Sequence, residues 1–444
     1  MVGLVVLVMT VTAFTDSAQA SRGATSAAVE HQATRRAMDA AVRAGVPGVT
    51  AEARDADATW KPASGVGDLR TGAPRGRNDR FRISSITNTF VATVLLQMEA
   101  EKRLDLDDTV ARYLPGLLAG LGSYGREITV RQLLNHTSGL FDYLADPTYG
   151  ETYLTGEGYL RHRFNTLTPE QRVRVALSHA PSFAPGARHS FSTTNDVLAA
   201  LIVEKVADRS SEDEVRDRIL EPLGLRATSF PGKGVRLPRP ASPGYSRLFA
   251  SQPDRIDDVT EVNGSQIWGS GDIISTAADL NRFYAALMRG RLLPPRQLKE
   301  MKTTIGNPDF PGASYGLGIE RFQLSCGATL WYHDGGMVGW LTLSATTEDG
   351  RHPLTLDYNA DWGGGDHPAH RGRRVLSSAF LISARFRGSG ERADMFLRAG
   401  RDLRIPDDAD AGPSVCGVPG RGVRGPVPQG RAAGHVASYG SPTP

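Results

Sequence analysis

A serine at the start of an apolar segment is the first group in this sequence that could do chemistry. Residues 85–88 read Ser-Ile-Thr-Asn, and the apolar residues from Phe90 to Met98 follow at helical spacing, which predicts a buried helix that begins near Ser85. A serine hydroxyl is a weak nucleophile and needs an adjacent base. One helical turn further on, the chain has Asn88, whose amide has no useful basicity at neutral pH. Ser85 is therefore a candidate nucleophile without a neighbouring base.

No lysine is close enough to Ser85 in the sequence to be an obvious base for it. The chain has 51 Lys and Arg residues, but almost all of them are Arg. The lysines are Lys61, Lys102, Lys205, Lys233, Lys299 and Lys302. Along a continuous helix Lys102 would lie about 25 Å from Ser85, and the others belong to unrelated segments.

Elements on both sides of this helix indicate the fold class. Short strands are predicted around residues 49–65 and again from 315 to 358, whereas amphipathic helices fill the middle of the chain. Thr168 is predicted to cap a helix that has Pro169 at its first position, and residues 139–168 are predicted as a long loop. We expect an α/β fold in which one antiparallel sheet is flanked by helices and contains an inserted helical region.

The ends of the chain differ from this domain, which we place at residues 30–400. The apolar stretch from Val2 to Phe14 and the sequence Ala-Gln-Ala at 18–20 predict a signal peptide over residues 1–20 and a secreted protein. The stretch is too short to anchor the chain permanently in a membrane. Residues 407–444 are rich in Gly, Pro and Arg, which predicts a disordered tail. Cys326 and Cys416 either form one disulfide or stay as two thiols.

Composition and motifs exclude several classes of function. The net charge is only +3, so we expect no nucleic-acid partner. Asp366, His367 and His370 resemble a metal cluster only weakly and lack further ligands, and the glycines at 363–365 lack the Lys-Ser/Thr of a phosphate loop. We therefore expect no metal and no cofactor, and a monomer that takes a small-molecule or peptide substrate.

Many motifs lie in the same order as in one known family: residues 81–90, 104–107, 113–116, 128–140, 183–186, 201–206, 221–225, 271–280 and 333–336. Over residues 81–340 they resemble the penicillin-recognising serine hydrolases, that is, serine β-lactamases, D-alanyl-D-alanine carboxypeptidases and class C-like esterases. The resemblance implies a β-lactamase/transpeptidase-like fold, and substrates such as peptidoglycan-like peptides, β-lactams or esters.

The resemblance also assigns residues to the site. The family motifs are Ser-x-x-Lys, Tyr-x-Asn, and His-x-Gly or Lys-x-Gly, in which the Lys and Tyr move protons and backbone N–H groups bind the oxyanion. At the matching positions we assign Ser85 as the nucleophile, Asn88 in place of Lys, Phe191 in place of Tyr, and His333 as a further catalytic residue, with Thr193, Asp334 and Gly335 as substrate-binding residues. The glycine would let the substrate backbone approach the strand. His333 would act on Ser85 through a water, His136 would be a turn residue, and His189 would lie on a solvated loop.

The departures from the family pattern leave the activity open. The loss of a general base alone typically lowers a rate by about 10²- to 10⁴-fold. The first hypothesis is a serine hydrolase of the carboxypeptidase, β-lactamase or esterase type with impaired activation. The alternatives are a non-catalytic protein that binds peptidoglycan-like peptides in the same cleft, and a decaying gene without a selected function.

Overall fold

The computed structural model describes residues 32–55, 58–308, 312–324 and 327–362 and two short strands further on. The predicted signal peptide, the tail at 407–444, both cysteines and the cluster at Asp366, His367 and His370 lie outside the described residues. Export, the disulfide and the disordered tail therefore stay predictions. Within the described ranges, no helix combines the length and the apolar character that crossing a membrane requires.

Helices occupy the middle of the chain, as the sequence indicates. They are α1 (Gln32–Arg43), α2 (Thr87–Ala100), α3 (Val110–Tyr113), α4 (Ser123–Glu127), α5 (Val130–Leu134), α6 (Pro147–Tyr153), α7 (Gly156–His162), α8 (Pro169–Leu177), α9 (Thr193–Ala207), α10 (Ser211–Val215), α11 (Glu221–Leu223), α12 (Ala277–Met288) and α13 (Pro295–Met301). A π-helical segment, Arg216–Leu220, joins α10 to α11. As predicted, Thr168 caps α8, accepting a hydrogen bond from the backbone N–H of Gln171, and Pro169 is its first residue.

Most strands lie before or after this helical region, and three short ones lie within it, between residues 245 and 275. They are β1 (Gly48–Arg54), β2 (Thr59–Trp60), β3 (Ala63–Asp68), β4 (Ala73–Pro74), β5 (Phe81–Arg82), β6 (Tyr245–Ser246), β7 (Asp257–Asp258), β8 (Ile274–Ser275), β9 (Ile305–Gly306), β10 (Ala313–Tyr315), β11 (Glu320–Gln323), β12 (Thr329–Met337), β13 (Trp340–Thr347), β14 (Leu354–Tyr358), β15 (Arg385–Gly388) and β16 (Glu391–Asp394). The main sheet is antiparallel and has the order β4-β3-β1-β14-β13-β12-β11-β10-β9, with β2 also paired to β1. Val49 of β1 lies opposite Tyr358 of β14, so strands from both parts of the chain complete one sheet.

The two faces of the sheet are buried in different ways. One face packs apolar residues such as Val49, Leu343 and Leu356 against Met38 of α1. The face beneath α12 carries buried polar residues that bond to one another. Thr342 donates to Asp357 at 2.8 Å, and Thr355 donates to the Oδ1 of Asn281 on α12 at 2.8 Å. These bonds satisfy buried polar groups and fix α12 on the sheet.

Helix α2 is the central helix of the molecule and carries the candidate site at its start. Most of its residues are buried on every side, as expected for a helix that is apolar around its circumference. Phe90 stacks on Phe283 of α12, with ring centroids 3.7 Å apart. The N-terminal end of α2 is therefore held rigidly between the sheet and the helical region.

Candidate active site

A tight turn precedes α2 and contains the predicted nucleophile. It is the 3₁₀ turn Ser84–Ile86, which follows β5. Ser84 adopts the left-handed conformation, with φ of 50°, which is unfavourable for a residue with a Cβ atom. Its hydroxyl donates to the carbonyl oxygen of Gly336 at 2.8 Å. This bond ties the turn to strand β12 and helps to hold the strained conformation.

Gly335 permits the close contact between β12 and this turn. A Cβ atom at position 335 would lie 2.2 Å from the carbonyl oxygen of Ile83 and 3.1 Å from the backbone nitrogen of Ser85. An approach of 2.2 Å to a backbone oxygen is not possible for a real side chain, so only glycine fits. The close approach that this glycine allows in the structure is to the turn of Ser85, and its contact with a substrate backbone stays a prediction.

Ser85 is accessible to a ligand. Its side chain is partly exposed, and its hydroxyl has no hydrogen-bond partner among the residues that the structure describes. A hydroxyl in this state is free to meet a ligand. In the described part of the chain no side chain is bonded to it as a base would be, and impaired activation of Ser85 stays a prediction.

Asn88 faces a buried carboxyl group instead of supplying a base. Asn88 and Asp196 of α9 are both buried. Burial, together with nearby Asp142, raises the pKa of Asp196 well above its ordinary value, and the Asn88 amide lowers it in part. Burial therefore favours the protonated, neutral form of this carboxyl. The position one helical turn after Ser85 thus holds an amide, which cannot act as a base, next to a carboxyl whose neutral form is favoured.

The segment that contains Phe191 and Thr193 lies beside Asn88 and Asp196. Phe191 is half-buried, and its ring centroid lies 4.2 Å from that of His136. Thr193 is the first residue of α9, and its backbone N–H donates to Asp142 at 3.2 Å. Phe191 thus supplies packing at the site, whereas a Tyr there would supply a hydroxyl. Substrate contact by Thr193 stays a prediction.

A chain of hydrogen bonds runs behind the site, from His136 through Tyr315 to His333. The Nδ1 of His136 accepts from the backbone N–H of Ser192 at 3.2 Å, so its Nε2 carries the proton and points to the Tyr315 hydroxyl at 3.2 Å. The Tyr315 hydroxyl lies 2.9 Å from Nε2 of His333, and Nδ1 of His333 lies 2.6 Å from the carbonyl oxygen of Asp334. One direction of donation satisfies every contact: His136 donates to Tyr315, Tyr315 to His333, and His333 to Asp334.

This series of hydrogen bonds changes the interpretation of His333. Its side chain is almost fully buried, and both ring nitrogens are already engaged. Burial also lowers the pKa of His333 to about 4, so the ring is neutral at physiological pH. To act on Ser85 through a water, the ring would first have to lose its bond with Tyr315. The structure thus makes His333 a positioning residue of β12, and the predicted base role has no free nitrogen to support it.

Asp334 is directed away from the turn of Ser85. Side chains alternate along a strand, so Asp334 lies on the opposite face of β12 from Gly335. Its carboxyl lies within 4.8 Å of that of Glu320, and burial raises the pKa of Asp334. Burial and the neighbouring Asp334 raise the pKa of Glu320 as well. The direction of the Asp334 side chain does not support the predicted contact with a substrate at Ser85.

Glu320, His333 and Asp334 are also the three residues in the described part of the chain whose arrangement most resembles a metal site. One potential ligand atom from each residue lies within 4.8 Å of the others. Both nitrogens of His333 are engaged by protein partners, and Tyr332 donates to Glu320 at 2.8 Å. These bonds account for the group without an ion.

Sequence reasoning missed the residues that surround the predicted ones. Asp196, Tyr315 and His136 come from three separate segments, and only the fold brings them together. His189 was expected on a solvated loop, but it is buried, with its ring centroid 5.1 Å from that of Tyr315. An acidic residue within an otherwise apolar helix, as at Asp196, is the one signal that was available from sequence.

Comparison with known proteins identifies the family of this chain. A sequence model of the Beta-lactamase family matches residues 27–351, so this chain belongs to the Beta-lactamase family. A D-stereospecific amidohydrolase from Streptomyces sp. is 46% identical, with a TM-score of 0.72, over 79% of this chain and 98% of that protein. The D-amino acid amidase of Ochrobactrum anthropi SV3, solved with D-phenylalanine, is 27% identical, with a TM-score of 0.66, over 78% of this chain and 96% of that protein.

A curated relative matches over a shorter stretch. The protein PbpX of Bacillus subtilis (strain 168) is 26% identical over 281 residues, which is 63% of this chain and 62% of that relative. The chain thus spans about three fifths of this relative's length. The comparisons confirm the serine-hydrolase family and the β-lactamase/transpeptidase-like fold of the sequence analysis.

The buried neutral His333 predicts a pH dependence of stability. Its pKa in the folded chain is about 4, below the ordinary 6.5, so the unfolded chain binds the proton more tightly. The stability from His333 is therefore complete above pH 6.5 and is lost as the pH falls towards 4, by on the order of 3 kcal/mol.

Urea unfolding of the unmodified chain and of His333→Gln at several pH values measures this effect. The difference in unfolding free energy between the two proteins should shrink between pH 6.5 and 4, because only the unmodified chain loses the His333 contribution. A difference that is constant over this range would contradict the assignment.

Proposed function

We propose that this chain binds D-amino-acid amides or peptides at the Ser85 site and forms an acyl-serine with them slowly. Membership of the Beta-lactamase family supports the acyl-serine chemistry. The similarity to a D-stereospecific amidohydrolase and to a D-amino acid amidase supports the substrate class. The observation that carries the proposal is the accessible Ser85 hydroxyl on a turn that Gly335 and Ser84 hold in place.

The proposed reaction uses the serine without a side-chain base. The Oγ of Ser85 bonds to the carbonyl carbon, the C–N bond breaks, and the hydroxyl proton passes through water to the leaving amine. A second water then attacks the ester, which releases the acid and restores the hydroxyl. Because Asn88 and Asp196 are neutral and Phe191 has no hydroxyl, both proton transfers depend on solvent, and each step is slow.

A second candidate function is binding without turnover. It is favoured because the Ser85 hydroxyl has no hydrogen-bond partner among the described residues. A protein that only binds its ligand does not need an activated nucleophile. In that case, the same peptides or amides would occupy the site and leave unchanged.

Covalent labelling tests the proposal. The purified chain is incubated with a fluorescent penicillin and, separately, with the amide and an activated ester of D-phenylalanine, and intact mass and product release are followed. We expect a stoichiometric adduct on Ser85 that forms over hours, and none on the matched Ser85→Ala variant.

The outcomes separate the two candidates. If the chain forms no adduct and turns over neither substrate faster than Ser85→Ala does, acyl transfer is excluded. If both proteins then bind D-phenylalanine amide with equal affinity, the site is a binding site only.

A further inference from the structure

A cavity of about 430 Å³ lies away from Ser85, and none of the candidate site residues lines it. Its walls come from the end of β1, from α11 and α12, and from the turn between β13 and β14. The lining residues are Arg54, Asp55, Pro222, Leu223, Asn281, Arg282, Ala285, Ala286, Arg289, Arg291, Arg351 and Pro353. The volume is in the range of sites for small molecules.

Arginine is the main charged residue type around this cavity. Five guanidinium groups surround it and only one carboxylate, Asp55, joins them. That carboxylate already lies 3.2 Å from Nδ1 of His352. Arg351 also lies 3.7 Å from a carboxylate outside the lining, that of Asp349.

Two of the five guanidinium groups have no partner among the described residues. Arg54 bonds to Glu52 at 2.6 Å, and Arg282 donates to the carbonyl oxygen of Gly224 at 2.7 Å. The guanidinium groups of Arg289 and Arg291 form neither a hydrogen bond nor an ion pair with any residue that the structure describes, and only their backbone N–H groups are bonded. Their donors are available to a ligand, and planar guanidinium groups suit the oxygens of phosphate and carboxylate.

The walls of the cavity are fixed before any ligand binds. Asn281 of α12 donates to the carbonyl oxygen of Glu52 at 2.8 Å and accepts from Thr355 at 2.8 Å, so α12 cannot shift along the sheet. At the turn between β13 and β14, a Cβ atom on Gly350 would lie 2.7 Å from the carbonyl oxygen of Ala285. This turn therefore packs directly against α12, and the arginines project from a rigid support.

We propose that this cavity binds a small organic phosphate with an apolar group. The guanidiniums of Arg289 and Arg291 bind the phosphate, with Arg351 and Arg54 nearby. The side chains of Pro222, Leu223 and Pro353 cover the apolar part, which is why a bare inorganic anion is the poorer ligand. This site does not depend on the chemistry proposed for Ser85.

Calorimetric titration of the full chain with phenyl phosphate tests the proposal, with inorganic phosphate and phenol as partial ligands. We expect one site per chain and a weaker signal from each partial ligand. Arg289→Gln/Arg291→Gln should lower the affinity at least about tenfold, because each lost charge-assisted bond accounts for about a factor of ten.

A charge-matched control removes two other exposed arginines, in Arg77→Gln/Arg126→Gln, neither of which lines the cavity. This control should keep the affinity of the unmodified chain. Equal losses in both double variants would overturn the proposal, because the attraction would then be to net charge. The absence of saturable binding, or equal affinity for inorganic phosphate, would overturn it as well.

Discussion

Joint replacement of Asn88 by Lys and of Phe191 by Tyr is expected to raise the turnover of a D-phenylalanine amide by about 10²- to 10⁴-fold. The Lys would place an amine one helical turn from Ser85, and the Tyr would place a hydroxyl where Phe191 packs on His136. Both groups can move the proton that solvent must otherwise carry. The measurement is the rate of product release by the purified double variant and by the unmodified chain.

Asp196 sets a limit on this gain. Burial favours its protonated form, but a lysine amine beside it would accept that proton and leave an ammonium–carboxylate pair. An ammonium group cannot act as a base. We therefore expect the triple variant that also carries Asp196→Asn to exceed the double variant, with its activity rising at lower pH than that of the double variant.

The control for this experiment is Asn88→Met with Phe191→Tyr. Methionine is unbranched and of similar reach to lysine, but it has no amine. Its turnover should stay well below that of the Lys variant, because the tyrosine alone leaves Ser85 without a base. If the Met variant gains as much as the Lys variant, the limiting defect is packing around α2 and the explanation by proton transfer is wrong.

Gly335→Ala is expected to destabilise the fold by about 1–3 kcal/mol and to abolish labelling of Ser85. The added methyl would meet the carbonyl oxygen of Ile83 at 2.2 Å, which is backbone and cannot rotate away. The strand and the nucleophile turn must then separate, and the bond from Ser84 to Gly336 is lost with them. Urea unfolding and the rate of adduct formation measure the two effects.

The adjacent glycine provides a matched control. A Cβ atom on Gly336 would meet only the end of the Leu341 side chain, at 3.2 Å, which can move. Gly336→Ala should therefore keep most of the stability. Equal destabilisation by the two substitutions would show that this part of β12 does not tolerate a side chain at either position. The contact with the Ser85 turn would then not be the cause of the effect at Gly335.

The parts of this molecule that follow from local sequence could be predicted. The cap at Thr168, the central helix after Ser85 and the last strands of the sheet depend on neighbouring residues, and they occur where expected. Residues 139–168 were predicted as a loop, but they contain α6 and α7. Asp146 caps α6 with its side chain, and Tyr149 and Tyr159 are buried by the rest of the fold, which a local pattern does not reveal.

The candidate site shows the same division. The positions of Ser85, Asn88 and Phe191 could be predicted because each belongs to a short motif. The roles of His333 and Asp334 could not, because they depend on Tyr315 and Glu320, which pair with them only after the sheet has formed. The proximity of Asp196 to Asn88 could not be predicted either, because it depends on the contact between helices α9 and α2.

The pairing of β1 with β14 has a consequence for how the chain folds during synthesis. β1, which contains Val49, cannot complete its pairing in the sheet until β14, which contains Tyr358, has been synthesised. At about 5–20 residues per second, the roughly 300 intervening residues take on the order of tens of seconds to leave the ribosome. The helical region, which contains most of the apolar core, emerges whole in that interval. β1 can therefore pair with β14 only after the helical region has left the ribosome, and a chain cut before residue 354 would leave β1 without this partner.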